Sequence, residues 1–303
     1  MSEETSDCLI IGGGPAGLTA AIYLARFHLK VALLDAGRGR AGWIPCTRNV
    51  PGFPDGISGD ELLERMRAQA ELYGVGITRA RVTRLDRTED GLFTATWGEG
   101  KLSARTVLLA TGLRNRRPDM DEKLHDEAMA RGLIRYCPIC DGYEVTDRTV
   151  GVIGSGPHGV AEALFLRGYT ADLTLIAPDK AHGLSAEDRA KLDAAGIRTV
   201  DGPCQAVAAM EDCITVDTAD GHYTFDSLYP ALGSDLHTEL AEQIGVALAK
   251  GAGCILVDAH QRTNVPGVYA AGDVVLGLDQ ISHAMGHGGV AATTIRNDLA
   301  KTK

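Results

Sequence analysis

Apolar residues fall into short runs bounded by glycine, and the pattern of the first run returns half-way along the chain. Leu9-Ile10-Ile11 is a continuous apolar triplet, as in a strand buried on both faces, and it runs straight into Gly12-Gly13-Gly14-Pro15-Ala16-Gly17. A helix is expected from there through Phe27, and Val31 to Leu34 predicts the next strand, closed by Asp35. The second occurrence starts at Val150-Gly151-Val152-Ile153 and passes through Gly154-Ser155-Gly156-Pro157-His158-Gly159. It continues as a helix to about Arg167 and a strand from Leu173 to Ile176.

The echo extends further. Asp90-Gly91 marks a hairpin turn, Phe93, Ala95 and Trp97 alternate after it, and a buried strand closes on Ala110-Thr111-Gly112. In the second half, Ile214 and Val216 precede Asp220-Gly221, Tyr223 and Phe225 follow, and the closing strand ends at Ala231-Leu232-Gly233. Two successive units of strand, glycine turn, helix, strand, hairpin and strand predict an α/β fold of two related Rossmann-like domains. Residues 234–303, with Val268 to Asp273 and a last helix, are too few for a third domain and are expected to complete the first. Within the first half, Ser58-Gly59-Asp60-Glu61 is a capping box. Leu62, Leu63, Met66 and Ala70 form a helical stripe after it, and Gly74 is the stop.

Composition narrows the function classes. The 303 residues include 37 glycines and carry a net charge of −10, which argues against nucleic acid or an anionic membrane as partner. Seven cysteines, at 8, 46, 137, 140, 204, 213 and 254, form an odd set with one close pair, unlike a secreted disulfide framework. The acidic start differs from a signal peptide, and the apolar run Leu9 to Ala25 is interrupted by four glycines and Pro15. A cytoplasmic protein without a membrane span is expected.

Gly12-x-Gly14-x-x-Gly17 follows a strand and opens a helix. Gly12 permits the tight turn, Gly14 lets backbone approach a pyrophosphate at the positive helix end, and Gly17 allows close helix–strand packing. Asp35, 18 residues beyond Gly17, is placed to accept from ribose hydroxyls. A strand ending in Ala110-Thr111-Gly112, with Gly272-Asp273 near the C-terminus, resembles the secondary flavin signatures of two-dinucleotide flavoproteins. FAD is therefore the expected dinucleotide. In that reading Asp273 accepts from the ribityl chain, and a helix starting near Gln280 and Ile281 aims its N-terminus at the flavin.

Cys137-Pro138-Ile139-Cys140-Asp141-Gly142 is the most informative hexamer. Two intervening residues let both thiols meet in a small ring, a helix N-terminus would make either thiolate reactive, and Asp141 can move protons to and from a departing thiolate. A zinc site would need a second pair, which the spacing of Cys204 and Cys213 does not supply, so no metal is expected.

The chain resembles the low-molecular-weight bacterial thioredoxin reductases over nearly its whole length. The likeness rests on the first glycine turn, Asn49-Val50-Pro51-Gly52, Ala110-Thr111-Gly112, the Cys137 to Gly142 motif just before the second glycine turn, and Pro266 to Asp273. The resemblance implies an FAD domain at 1–116 plus 234–303, with a nicotinamide-type domain inserted at 117–233, and a homodimer. Cofactor contacts would come from Gly12, Gly14, Pro15, Ala16, Gly17, Asp35, Asn49, Ala110, Thr111, Gly112, Gly272, Asp273, Gln280 and Ile281. Gly154, Gly156, Gly159 and Asp179 would form the nicotinamide nucleotide site. By the same resemblance Cys140 is the flavin-proximal sulfur, Cys137 exchanges with an external disulfide such as that of a thioredoxin-like protein, and Asp141 is the acid/base.

The chain also departs from that pattern. The basic cluster that clamps the 2′-phosphate of NADPH is missing: the segment reads Ala177-Pro178-Asp179-Lys180, which favours NADH. Two alternatives stay open, a ferredoxin-linked reductase and an oxidase that forms a disulfide in a small dithiol with oxygen as acceptor. The sequence after Cys140 looks somewhat like those oxidases at Gly142-Tyr143-Glu144. His283 and His287 share a helical face, Cys46 lies alone in a loop, and Arg38 and Arg40 follow Asp35, where they could meet an FAD phosphate.

Overall fold

The computed structural model describes residues 5–37 and 39–301. β1 (Ser6–Ile11) leads through the first glycine turn into α1 (Pro15–Arg26) and β2 (Val31–Asp35). α2 (Gly59–Leu72) is capped by Ser58, whose hydroxyl accepts from the Glu61 N–H, and it stops at Gly74, where φ is +79°. β3 (Gly76–Arg79), β4 (Arg84–Arg87), β5 (Phe93–Trp97), β6 (Gly100–Leu109) and β7 (Leu113–Asn115) follow. Asp121 caps α3 (Glu122–Ala130), and the single turn α4 (Pro138–Asp141) precedes β8 (Val150–Gly154), α5 (Gly156–Leu166), β9 (Leu173–Ile176), α6 (Ala186–Ala194) and β10 (Arg198–Val200). The chain continues through β11 (Cys204–Ala209), β12 (Ile214–Thr218), β13 (Gly221–Phe225), β14 (Ser227–Ala231) and β15 (Ser234–Leu236). It closes with α7 (Glu239–Gln243), β16 (Val268–Ala270) and α8 (Ile281–Lys301).

These elements divide into two compact units. The first holds the chain as far as Gly42, Ser58–Arg114 and everything from Leu236 onward; the second holds Trp43–Ile57 and Asn115–Asp235. Segment 43–57 therefore groups with the second unit, although the sequence pattern assigns it to the first. Side-chain packing explains this. The Trp43 ring lies 4.2 Å under the Arg117 guanidinium and meets the His125 ring edge-on, and Asn49 Nδ2 donates to the Ile139 carbonyl at 3.4 Å.

In the first unit a seven-stranded sheet runs β3-β2-β1-β6-β5-β4, with β16 pairing the far stretch of β6. The strands that carry the repeat pattern are parallel: Ile10 stands opposite Leu33 and Leu108, and β16 pairs Val268 with Val107. β4 and β5 add an antiparallel hairpin. Apolar positions of β1, β6 and β16 share one core with Leu240, Val246 and Ile255. α8 lies along α1 so closely that a Cβ on Gly288 would stand 2.3 Å from the Ala16 carbonyl oxygen, an approach that only glycine permits.

The second unit repeats the plan on a smaller scale. β10-β9-β8-β14 is a parallel sheet, buried along β8, β9 and β14, and β11-β12-β13 is a separate antiparallel sheet. One core lies under α5 around Val152, Leu175 and Tyr229, and another lies under α3 around Ile134, Ile153 and Phe225.

Candidate active site

In the second unit Cys137 and Cys140 form a disulfide with Cα atoms 5.2 Å apart. The local sequence shapes this ring. Cys137 is the extended N-cap of α4, and Pro138 occupies the first helical position, where its fixed φ fits and its missing N–H costs nothing. The Cys137 carbonyl accepts from the N–H of Cys140 at 2.9 Å and of Asp141 at 3.2 Å, which folds the turn back on itself. Both cysteines are partly exposed, Pro138 is buried beneath them, and Tyr143 nearby is 80% exposed.

Asp141 follows at once and is held on two sides. Tyr229 donates its phenol to Oδ1 at 2.8 Å, and Arg135 donates Nη1 to Oδ2 at 3.0 Å. Burial raises the pKa of Asp141, the Arg135 charge and the two hydrogen bonds oppose that rise, and the Glu144 charge adds to it. Tyr229 comes from the middle of β14 with no exposure, and burial followed by the Asp141 charge pushes its phenol up, so it remains a donor. An acid of raised pKa next to a disulfide is suited to protonate a departing thiolate.

The first glycine turn has the form of an anion cradle. Gly12 sits at φ +113°, and a Cβ there would lie 2.2 Å from the Ala110 carbonyl oxygen; a Cβ on Gly17 would lie 2.0 Å from that of Gly12. The space in front of Gly14 is open, α1 has no side-chain cap, and Pro15 and Ala16 begin the helix, so its first N–H groups face no partner of their own. Asp35 Oδ1 accepts from the Gly13 N–H at 3.1 Å, and Oδ2 lies 3.6 Å from Arg67. Thr111 Oγ1 donates to the His237 carbonyl at 2.6 Å, between Ala110 and Gly112. Gly272 packs on Ala16, Asp273 pairs with Arg40 at 3.0 Å, and Asp279 lies 3.4 Å from the same guanidinium. Gln280 accepts the Ala284 N–H at the head of α8, one residue before Ile281. This donor set, an open N-terminal cradle plus a carboxylate at the end of β2, fits a dinucleotide. Arg38 lies outside the described residues. Asn49 is the one predicted FAD contact that lies in the second unit.

The second turn is built alike. Gly156 has φ +60° with open space before it, and Gly159 packs on Gly154. Asp179 follows β9 in a loop fastened by the Cys204 N–H to the Pro178 carbonyl at 2.9 Å. Burial, with the Asp179 charge, pushes the Cys204 thiol up to about 11.

The model of the pyridine nucleotide-disulphide oxidoreductase family matches residues 6–288. The chain belongs to that family. Thioredoxin reductase of Listeria innocua is 30% identical to it, over 99% of this chain and 96% of that one. Thioredoxin reductase of Streptomyces coelicolor is 33% identical over 90% and 87%. The crystal structure of thioredoxin reductase from Streptococcus pyogenes superposes with a TM-score of 0.89 at 27% identity, covering 99% of this chain and 100% of that one. This family member is a flavin-dependent, thioredoxin-reductase-like disulfide oxidoreductase, and the family implies FAD and a pyridine nucleotide as cofactors.

Several side chains around the disulfide of this oxidoreductase carry no signal in the sequence. Tyr229 reaches Asp141 from β14, 88 residues away, and Arg135 from the loop six residues before it. His125, with no exposure, bonds Asp126 at 3.0 Å and the Tyr136 phenol at 2.7 Å, just before Cys137. The His283 and His287 rings lie 4.1 Å apart; burial and then the His283 charge lower the pKa of His287. Among the described residues no group of three or more His, Cys, Asp or Glu could hold a metal. Cys46 is a free, partly exposed thiol beside Gly56. No helix among the described residues is long and apolar enough to cross a membrane.

Proposed function

We propose that this protein reduces the disulfide of a thioredoxin-like protein, or of a small molecule, at the expense of a pyridine nucleotide. The carrying observation is the Cys137–Cys140 disulfide with Asp141 braced beside it by Tyr229 and Arg135. When bound, FAD supplies the two-electron carrier between nucleotide and disulfide. Gly12, Gly14, Pro15, Ala16 and Gly17 receive its pyrophosphate and Asp35 its ribose. Ala110, Thr111, Gly112, Gly272, Asp273, Gln280 and Ile281 would line the rest. By chain order the FAD domain is 1–116 with 234–303, although segment 43–57 within it packs with the second unit, and 117–233 carries the nucleotide site at Gly154, Gly156 and Gly159.

Within the disulfide, Cys137 exchanges with the external substrate, Cys140 would receive the electrons that bound FAD supplies, and Asp141 protonates the thiolate set free. NADH is the better donor: Asp179 stands where a 2′-phosphate would be repelled, and Lys180 is the one cation between Ala177 and Ser185. The protein works in the cytoplasm as a homodimer. The test is to mix oxygen-free protein with NADH, NADPH or a dithiol and follow flavin bleaching. Fast bleaching by NADH, and slower bleaching by NADPH, is the expected result. Bleaching by the dithiol alone, with colour returning in air, overturns the reading and makes the protein a dithiol oxidase or a reductase fed by another protein.

A further inference from the structure

The loop that follows β16 is pressed against the head of α1. A Cβ on Gly272 would stand 2.9 Å from the Ala16 Cβ, and the Val275 N–H closes a turn on the Gly272 carbonyl at 3.1 Å, with Val274 and Val275 buried. The backbone of Asp273 is thereby fixed beside the glycine cradle. Its side chain is held from the loop after β2, by Arg40.

Arg40 Nη1 donates to Asp273 Oδ2 at 3.0 Å and lies 3.4 Å from Asp279 Oδ2. The Arg40 and Asp273 side chains are 21% and 20% exposed, so their pairing is less screened by water than an ordinary surface ion pair. The sequence alone suggests a phosphate contact for Arg40, whereas this nitrogen is shared by two carboxylates. Both acceptor oxygens lie within 3.4 Å of it, close enough for each charge to disfavour the other. Partial burial and then the Asp273 charge raise the pKa of Asp279, while Arg40 and His283 oppose the rise. FAD brings the negative charge of its pyrophosphate to the cradle at Pro15 and Ala16, so two uncompensated carboxylates beside Ala16 would work against its binding.

We infer that Arg40 is a positioning residue for FAD: it holds the Asp273 carboxylate in one place, offsets the Asp279 charge next to it, and acts on the cofactor through Asp273 rather than by a contact of its own. The inference rests on the reading of Asp273 as an acceptor for the ribityl chain, and it deepens that reading by naming what keeps the acceptor in position.

The test uses FAD-loaded protein with no nucleotide, thiol or disulfide substrate, so that it stands apart from the chemistry at Cys137 and Cys140. Holoenzyme is diluted, and the release of FAD is followed by the rise of flavin fluorescence. Arg40→Gln should release FAD about tenfold faster than the wild type, the measure of one charge-assisted hydrogen bond. Arg40→Lys should return most of the way to the wild-type rate. Arg40→Gln/Asp279→Asn should recover part of the loss, a gain that a misfolded Arg40→Gln protein could not show. In an Asp273→Asn background, which itself releases FAD faster, Arg40→Gln should add less than about twofold, because the two residues act as one unit. Wild-type release from Arg40→Gln, or the same tenfold effect of that substitution with and without Asp273, would overturn the inference; the second result would mean that Arg40 meets FAD directly. Wild-type release from Asp273→Asn would overturn the assignment of Asp273 itself, and the inference with it.

Discussion

Replacing Glu162 by glutamine should stabilise the protein in alkaline solution and leave it nearly unchanged in acid. The carboxyl's ordinary value of 4.5 is pushed up to about 7 in the fold, chiefly by burial. The folded state therefore holds a proton that the unfolded chain has already released, and stability falls as pH rises across that interval. The loss is about 3 kcal/mol at 1.36 kcal/mol for each tenfold change in the proton equilibrium. Glutamine has the same shape and no such titration. The gap between the two proteins should then widen by about 3 kcal/mol from about pH 4.5 to about pH 8, equivalent to an unfolding temperature difference of the order of 5 °C. Taking the change in the gap, rather than the gap itself, cancels whatever glutamine does to packing. Calorimetric scans of FAD-loaded protein at matched flavin content measure it. Parallel curves for the two proteins across the range would refute the reasoning, because they would mean that Glu162 titrates alike in folded and unfolded chains.

Three more outcomes check the site. Cys137→Ser and Cys140→Ser should each cut disulfide exchange by about 10³-fold or more while the purified protein stays yellow, since the glycine cradle is a separate feature. Gly17→Val should lower the flavin-to-protein absorbance ratio, because a Cβ there lies 2.0 Å from the Gly12 carbonyl oxygen and distorts the turn. Asp179→Arg should move the NADPH-to-NADH preference toward NADPH by about tenfold in KM, as a repulsive carboxylate gives way to a phosphate partner.

Local features of this fold were legible because each is set by residues close in sequence. The Ser58 cap, the Gly74 stop and both glycine turns depend on hydrogen bonds or close contacts spanning a few positions. The repeat of apolar runs foretold two parallel sheets, since a buried strand needs the same pattern wherever it occurs. What could not be read is whatever depends on the separation of distant segments. Tyr229 lies 88 residues from Asp141, and it looks from sequence like one more apolar strand position in Leu228-Tyr229-Pro230. Glu162 sits in a helix whose pattern says only that one face is buried. The grouping of residues 43–57 with the second unit follows from Trp43 meeting Arg117 and His125, a packing match with no periodic signature.

The connectivity of the first sheet sets the order in which the chain can complete itself. The far stretch of β6, Val107 to Leu109, pairs with β16, which comes from residues 268–270, and α8, which covers α1, is the last element among the described residues. A ribosome therefore delivers every residue of the second unit before the first can close. Until then one edge of that part of β6, whose other edge pairs with β1, and the face of α1 that α8 packs on have no cover. A nascent chain that pauses after the second unit is a ready template for strand pairing between copies. Loss of even the last forty residues would leave the disulfide-bearing unit intact and the nucleotide cradle open on one side. Protein quality control, rather than catalysis, is where a truncation of this chain would first be felt.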